Sequence, residues 1–574
     1  MNYIKRHKEL LLAGVLLVIC FAMYALNISD YSFMDTKEAK YVSIAKEMLN
    51  YSDWINIKLN GENILNIQPL FFWIVNLSCL IFGKISAGAV RLPISCISVA
   101  GILFLFYVVK NVLTKAYAFI IALILSTCLG VIVFSHLATN DMLSAVLMGC
   151  AMFSGVMPIF AKKSENTFKR RLFTYFLCGL SVLGCGILGL VVPFISILAM
   201  NIFSGNLKEM LRPKNLIFGI GIFLLTVLPW NLIMFSKHGF EFVQENWANL
   251  SLVGNTGIHQ VAYVLGLFLL GFSPWIFSSL WILGRNFKDT VVSVFSYFKD
   301  NSQERLKEKW LKLNKVDKFI SLNTIMFFTI LVFALLYGAK NIFLILLLMF
   351  PAACISGNYQ YSYLVRKEHN KSIFFATMIP NLIFIACSLA GLFGHNILNQ
   401  FIFQGIINLM IPLIIIFFVI PVISIFAIIL KGRIVTFVAN LILMISLSFV
   451  ISPITFNFIT AGSGENDLIK FARVSNKAGV ELASYGVSKY SLVYYYDKKV
   501  LFLKEKDTEK LQKFLDENPF AYVVVDIKDL SEIENSNIKY MLLDSGRRYC
   551  LIQKMPYEMQ KEDEAEEEPE VIVY

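Results

Sequence analysis

The chain is poor in charge. Only 16% of its 574 residues are Asp, Glu, Lys or Arg, against about 25% in soluble domains. Hydrophobic residues make up 57%, and the mean hydropathy is +0.66. That balance excludes an ordinary soluble globular protein. Paired cysteines at polar spacings are also lacking. The ten cysteines fall in apolar segments apart from Cys550, which excludes a disulfide framework or thiolate zinc site and leaves them as small packing residues. No glycine-rich phosphate loop follows the strand-like runs near the C-terminus, so a nucleotide has no backbone cradle. The apolar blocks hold almost no charge, which argues against a transporter with ionisable midplane groups and paired broken helices. The net charge of +11 does not signal nucleic acid, because the basic residues sit in short loops between apolar blocks, where they set membrane orientation.

What is present is a succession of apolar segments of about 20 residues, the length needed to span a bilayer. The first follows the basic start MNYIKRHKEL and lacks a small-residue cleavage site, so it reads as a retained helix with Lys5, Arg6 and Lys8 in the cytoplasm. From that frame about thirteen helices satisfy the positive-inside rule. Leu70–Phe82 is too short to span and reads as an interfacial helix anchored by Phe71, Phe72 and Trp73. The apolar stretch 172–203 breaks at Gly184-Cys185-Gly186 and reads as a helical hairpin, and 237–260 reads as an outside loop. The basic stretch Arg285–Lys318 reads as an orientation signal, with anionic lipid headgroups as a second use.

Hydrophobicity falls after Phe456. Residues 465–555 mix an amphipathic helix (ENDLIKFARVSNKAG), β-rich runs (SLVYYY and AYVVVDI) and a helix opened by Asp507-Thr508, which predicts a small α/β domain. KEDEAEEEPE reads as a disordered acidic tail. The expected division is therefore 1–456 transmembrane, with 27–86 as its first outside loop, 457–555 as an outside α/β domain, and 556–574 as the tail.

The first loop is far longer than a turn requires and carries helical pattern of its own, which marks it as functional. It places Asp35 and Glu38 in the same compartment as Asp141, at the entrance of a later helix. By position alone Asp141 also reads as a helix N-cap.

Several segments, in order along the chain, resemble the GT-C lipid-phosphate-sugar glycosyltransferases, the family of the protein O-mannosyltransferases and of the lipid A aminoarabinose transferases. Glu38-Ala-Lys-Tyr-Val-Ser-Ile-Ala-Lys-Glu-Met-Leu49 is similar to the family's Asp-Glu-x-Arg-Tyr-Ala-Glu-Ile-x-Arg-Glu-Met-Leu. Asp53-Trp54, Gln68-Pro69-Leu-Phe-Phe-Trp73, Gly271-Phe-Ser-Pro274-Trp275, Lys340 to Pro351 and Ala483 to Tyr495 follow at corresponding places. The resemblance implies a polytopic α-helical membrane protein with a C-terminal soluble α/β domain. It would be an inverting enzyme of the inner membrane, with its N-terminus cytoplasmic and its C-terminal domain periplasmic. It would move a sugar, by closest likeness an amino sugar, from polyprenyl phosphate to lipid A or another glycolipid or protein acceptor. Asp35 or Glu38 would be the base and Asp141 a second carboxylate. Lys37, Lys40, Tyr41, Gln68, His259 and Lys340 would contact substrate. The resemblance requires no cofactor and leaves room for a divalent metal. The sequence also departs from the family. Lys37 occupies the catalytic Asp position when Glu38 is aligned, Ile67-Gln68 replaces Glu-Lys, and Gly184-Cys185-Gly186 replaces Thr-Lys-Gly. Those losses of cations keep open a second reading, a non-catalytic relative that binds polyprenyl phosphate.

Overall fold

The computed structural model describes residues 2–33, 37–161, 167–251, 258–277, 279–280, 310–338, 340–366, 371–393, 404–450, 463–503, 505–536 and 538–556. They divide into two units, Met1–Asp30 with Leu65–Ile454, and Tyr31–Ile64 with Thr455–Tyr574.

The larger unit is helical. Its elements run α1 (Asn2–Ala25), then α3 (Leu70–Phe82), α4 (Ala87–Val112), α5 (Lys115–Ser126), α6 (Leu129–Ser135), α7 (Asn140–Val156), α8 (Phe168–Cys185), α9 (Leu188–Phe203), α10 (Leu207–Met210), α11 (Pro213–Ser251) and α12 (Ile258–Gly271), with further helices at Lys315–Tyr337, Ile342–Leu364, Lys371–Phe393, Gln404–Ile429 and Arg433–Val450. Among the described residues five helices are long and apolar enough to cross a membrane, or six if the bent pair α5–α6 counts as one span. The 64° bend of that pair falls at Thr127-Cys128. Trp275 holds it there, its indole N–H donating to Thr127 Oγ1 at 3.0 Å, so part of the Gly-x-x-Pro-Trp segment works as packing. The α3 helix keeps the short length read from the sequence, and ends where Gly83 turns into the left-handed region. The α8–α9 hairpin breaks where expected, with Gly186 at φ +72°. The loop expected at 237–260 is a correction. Helix α11 continues to Ser251, kinked at Gly239 (φ 58°, ψ −139°), and α12 begins at Ile258. Only glycine adopts that conformation without strain, and beyond it Phe242 packs edge-on against Trp230 at 5.5 Å. Most of the basic stretch Arg285–Lys318 lies outside the described residues.

The smaller unit joins part of the first loop to the C-terminal domain, whereas the sequence groups that loop with the membrane helices. It contains α2 (Lys37–Asn50), a two-stranded hairpin of β1 (Lys58–Leu59) and β2 (Glu62–Asn63), then α18 (Glu465–Ala478), β3 (Leu482–Tyr485), α19 (Tyr490–Tyr496), β4 (Leu501–Leu503), α20 (Thr508–Glu517), β5 (Tyr522–Asp526), α21 (Leu530–Asn535), β6 (Tyr540–Ser545) and β7 (Tyr549–Lys554). The five-stranded sheet has order β4-β3-β5-β7-β6, parallel across its first three strands and antiparallel thereafter. Successive residues of β5 serve opposite faces. Val524 joins Leu468, Phe471 and Leu492 on one side, while Val523 and Val525 join Leu511, Leu515 and Ile533 on the other. Helices on both faces explain why the strand reads as a continuous apolar run.

SLVYYY is a second correction, since it forms helix α19 rather than a strand. Leu492, Val493 and Tyr496 share the helix face that enters the core, and Asp497 ends the helix at φ +64°. Cross-sheet packing overrides the β-propensity of the tyrosines. The outward residues meet the first loop. Lys46 Nζ donates to the Tyr494 carbonyl and pairs with Asp497, both at 2.8 Å, and Phe33 packs edge-on to Tyr494 at 4.9 Å.

Asn60 makes the firmest link between loop and tail. Its Nδ2 donates to Val500 O at 2.8 Å, and its Oδ1 accepts from Val500 N at 2.9 Å. It also holds φ +57°, which asparagine tolerates better than alanine. Asn60→Ala should destabilise this unit by about 2–4 kcal/mol, the sum of two lost hydrogen bonds and a strained residue. Limited proteolysis read at the β1–β2 hairpin checks it, and unchanged protection would contradict the link.

Candidate active site

The predicted residues fall into two groups, one in each unit. In the smaller unit, Lys37 and Glu38 open α2. Asp35 lies outside the described residues. Glu38 is fully buried. A buried carboxylate is tolerated only when its charge is answered, and one in a helix first turn also gains from the helix dipole. Lys37 Nζ lies 5.5 Å from the centroid of the Tyr41 ring. Lys40 Nζ lies 5.9 Å from that of Tyr490. Burial holds the Lys40 ammonium below its ordinary range, and the like charge of Lys37 adds to this. Lys40 is thus a cation kept short of water, which an anion would stabilise.

In the larger unit, Asp141 is buried in the first turn of α7. It is not the N-cap. Thr139 holds that place, without a capping hydrogen bond from its side chain. The carboxylate therefore sits inside the positive end of the helix rather than closing it. Beside it, Asn140 Nδ2 donates to the Gly184 carbonyl at 3.4 Å, tying the start of α7 to the α8–α9 turn. Gln68 reaches the same turn. A Cβ placed on Gly186 would stand 3.5 Å from Gln68 Nε2. Gln68 Nε2 donates to Asn246 Oδ1 at 2.8 Å, and Asn246 Nδ2 donates to Leu65 O and Phe242 O. The two places where the family's cations are missing, 68 and 184–186, are thus neighbours. The extended helix α11 supplies the amide that Gln68 meets.

Four buried polar atoms around this turn lack a hydrogen-bond partner among the described residues: Gln68 Oε1, Thr139 Oγ1, Asn140 Oδ1 and Ser144 Oγ. Buried polar groups are nearly always satisfied, and a cluster of exceptions needs an explanation such as a ligand or water.

The sequence reading missed Arg91 and Asn246. Arg91 lies within α4, is fully buried, and donates from Nη1 to Ile28 O at 2.8 Å. One turn on, Ser95 Oγ bonds to Tyr24 O and Ser135 O at 2.8 and 3.0 Å, and His136 follows, also buried. A lone arginine in AGAVRLPISC is costly within a bilayer and so flags itself. Asn246 gave no such signal, because it sits in a segment read as loop. His259 and Lys340 are exposed, and neither hydrogen-bonds to the Gln68–Gly186 group. Among the described residues no three His, Cys, Asp or Glu side chains are grouped to hold a metal ion.

A family model described as dolichyl-phosphate-mannose-protein mannosyltransferase matches residues 67–233, the segment that holds Gln68, Asp141 and the Gly184–Gly186 turn. The undecaprenyl phosphate-alpha-4-amino-4-deoxy-L-arabinose arabinosyl transferase of Yersinia enterocolitica is 26% identical over 276 residues, covering 46% of this chain and 48% of that protein. The protein of the same name from Pectobacterium atrosepticum is 23% identical over 273 residues, with the same coverage. The chain thus spans about half the length of the curated relatives it matches. The crystal structure of ArnT from Cupriavidus metallidurans bound to undecaprenyl phosphate superimposes with a TM-score of 0.71 at 15% identity, covering 96% of this chain and 98% of that one. The chain has that fold. The resemblance to GT-C lipid-phosphate-sugar glycosyltransferases holds, and the protein is a multi-pass membrane protein.

Proposed function

We propose that this chain is an inner-membrane glycosyltransferase that moves a sugar, by its relatives an amino sugar, from polyprenyl phosphate to lipid A or a related acceptor at the periplasmic face. The observation that carries the reading is the convergence at the α8–α9 turn. Gln68, the glycine turn and Asn140, which precedes Asp141 at the start of α7, lie within the matched family segment and meet in one buried polar group. In this reading the chain crosses the membrane about thirteen times, with the N-terminus cytoplasmic and the smaller unit periplasmic.

The chemistry asks for two things. A carboxylate, Asp35 or Glu38, takes the proton of the acceptor hydroxyl as its oxygen attacks the anomeric carbon. The bond to the phosphate oxygen breaks with inversion, and polyprenyl phosphate leaves carrying the electron pair. Cations and hydrogen-bond donors must meet that charge. Gln68 and Cys185 supply no cation, so Lys37, Lys40 and Lys340 are the cations offered. Asp141 is the second carboxylate, and Tyr41 and His259 complete the proposed substrate contacts.

Mass spectrometry of lipid A from cells with and without the gene tests the reading. Loss of an increment the size of a pentosamine or hexosamine is the expected outcome. An unchanged profile removes lipid A as the acceptor and turns attention to protein hydroxyls, the substrate class of a protein O-mannosyltransferase-like enzyme. A second reading has its own support, because the Gln68 amide is neutral and already engaged by Asn246. A binding relative without turnover would retain polyprenyl phosphate and release no product in the same membranes.

A further inference from the structure

A separate cavity of about 540 Å³ opens between α8, α9 and α11, within the range of about 300–1,000 Å³ typical of small-ligand sites. It runs from Leu190 and Val191, in the first turn of α9, to the far end of α8 from the Gly186 turn. Arg171, in the first turn of α8, lines one end, and the α8 helix runs 18 residues to Cys185, roughly 20 Å away at 1.5 Å per residue. The walls are apolar, with Val191, Phe194, Ile220 and Leu224 prominent. Phe194, Ile220 and Leu224 are also exposed on the outer surface, so the cavity opens sideways, toward what would be lipid.

The polar content of the lining is concentrated at the Arg171 end. Arg171 is 9% exposed, and its Nε is buried without a hydrogen-bond partner among the described residues. Asn201, 2% exposed, spends its Nδ2 on Ile197 O at 2.8 Å and leaves Oδ1 unpartnered. A buried guanidinium N–H with nothing to donate to is costly. The surrounding chain adds Lys169, Arg170, Lys208, Arg212 and Lys214. The acid beside them, Glu209, is bridged to Arg212 at 2.5 Å and also attracts Arg171. An apolar slot with a cationic end is the complement of an acyl chain bearing an anion, and basic pockets between membrane helices are known lipid-headgroup sites.

We infer that this cavity binds one anionic phospholipid, with an acyl chain between α9 and α11 and the phosphate on Arg171. It is distinct from the polar group at the α8–α9 turn and stands whether or not the chain transfers sugar. The apolar walls hold the acyl chain by packing, and the guanidinium chooses the headgroup.

The test is native mass spectrometry of the full chain in detergent, titrated with dioleoyl phosphatidylglycerol, dioleoyl phosphatidylcholine or oleate. Wild type should retain one phosphatidylglycerol at least tenfold more tightly than phosphatidylcholine. Arg171→Gln should bring the two to parity, Arg171→Lys should keep part of the preference, and Val191→Phe should weaken both lipids by filling the slot. Equal retention of the two lipids by wild type overturns the proposal, as does unchanged preference in Arg171→Gln. Tighter retention of oleate than phosphatidylglycerol overturns the phospholipid assignment. Should Arg171→Gln not fold, Val191→Phe decides alone, and undiminished phosphatidylglycerol binding in it rejects the site.

Discussion

Membranes carrying Asp35→Ala or Asp141→Ala should transfer sugar from a polyprenyl-phosphate donor about 10²–10⁴-fold more slowly than wild type, the usual loss when a positioned acid or base is removed. The two substitutions should differ from Glu38→Ala. Glu38 is fully buried in the first turn of α2, so its removal strikes the folding of the smaller unit as well as the chemistry. Asp141 is also buried, but it lies where α7 meets the hairpin turn, and its loss should show in rate at near-normal protein level. Quantifying each variant by immunoblot alongside radiolabelled sugar transfer separates the two effects. Full activity in all three variants would remove the carboxylate mechanism.

Restoring the family's cation gives the second large effect. Gln68→Lys places an ammonium in a nearly closed site beside Gly186, where the neighbouring side chain Asn246 is neutral. Without lipid, an unanswered buried charge should cost about 3–5 kcal/mol, read as a lowered unfolding midpoint in detergent. Added polyprenyl phosphate should recover most of it, because the phosphate answers the charge. Donor affinity should rise above that of wild type. A variant that is destabilised and not rescued by polyprenyl phosphate would show that the donor phosphate does not lie near position 68. The same experiment bears on why the chain tolerates Gln68. A neutral amide held by Asn246 is cheap to bury when no donor is bound, so the site trades phosphate attraction for stability when empty.

Several features were legible in the residues themselves. The α3 helix was short because its apolar run is short, and the hairpin broke at Gly184-Cys185-Gly186 because glycine alone tolerates the geometry found at Gly186. Continuous apolarity in AYVVVDI announced a strand covered on both faces. SLVYYY misled because tyrosine-rich runs favour strands in isolation, while Leu492, Val493 and Tyr496 gain more by entering the core from one helical face. The reach of α11 past Gly239 was also hidden, since its polar residues look like loop until Asn246 is seen to bind Leu65 and Gln68.

By itself the sequence determined the class of the protein, a multi-pass membrane chain with an α/β appendage, because hydropathy and loop charge are one-dimensional properties that the bilayer reads directly. It also determined the family resemblance, through the order of short segments. Only the tertiary structure decided which residues meet. It brought position 68 to the turn at 184–186, tied the start of α7 to that turn through Asn140, joined Tyr31–Ile64 to the C-terminal domain and buried Arg91 and Arg171. Those pairings join segments from 44 to 440 residues apart, and no local pattern carries that information.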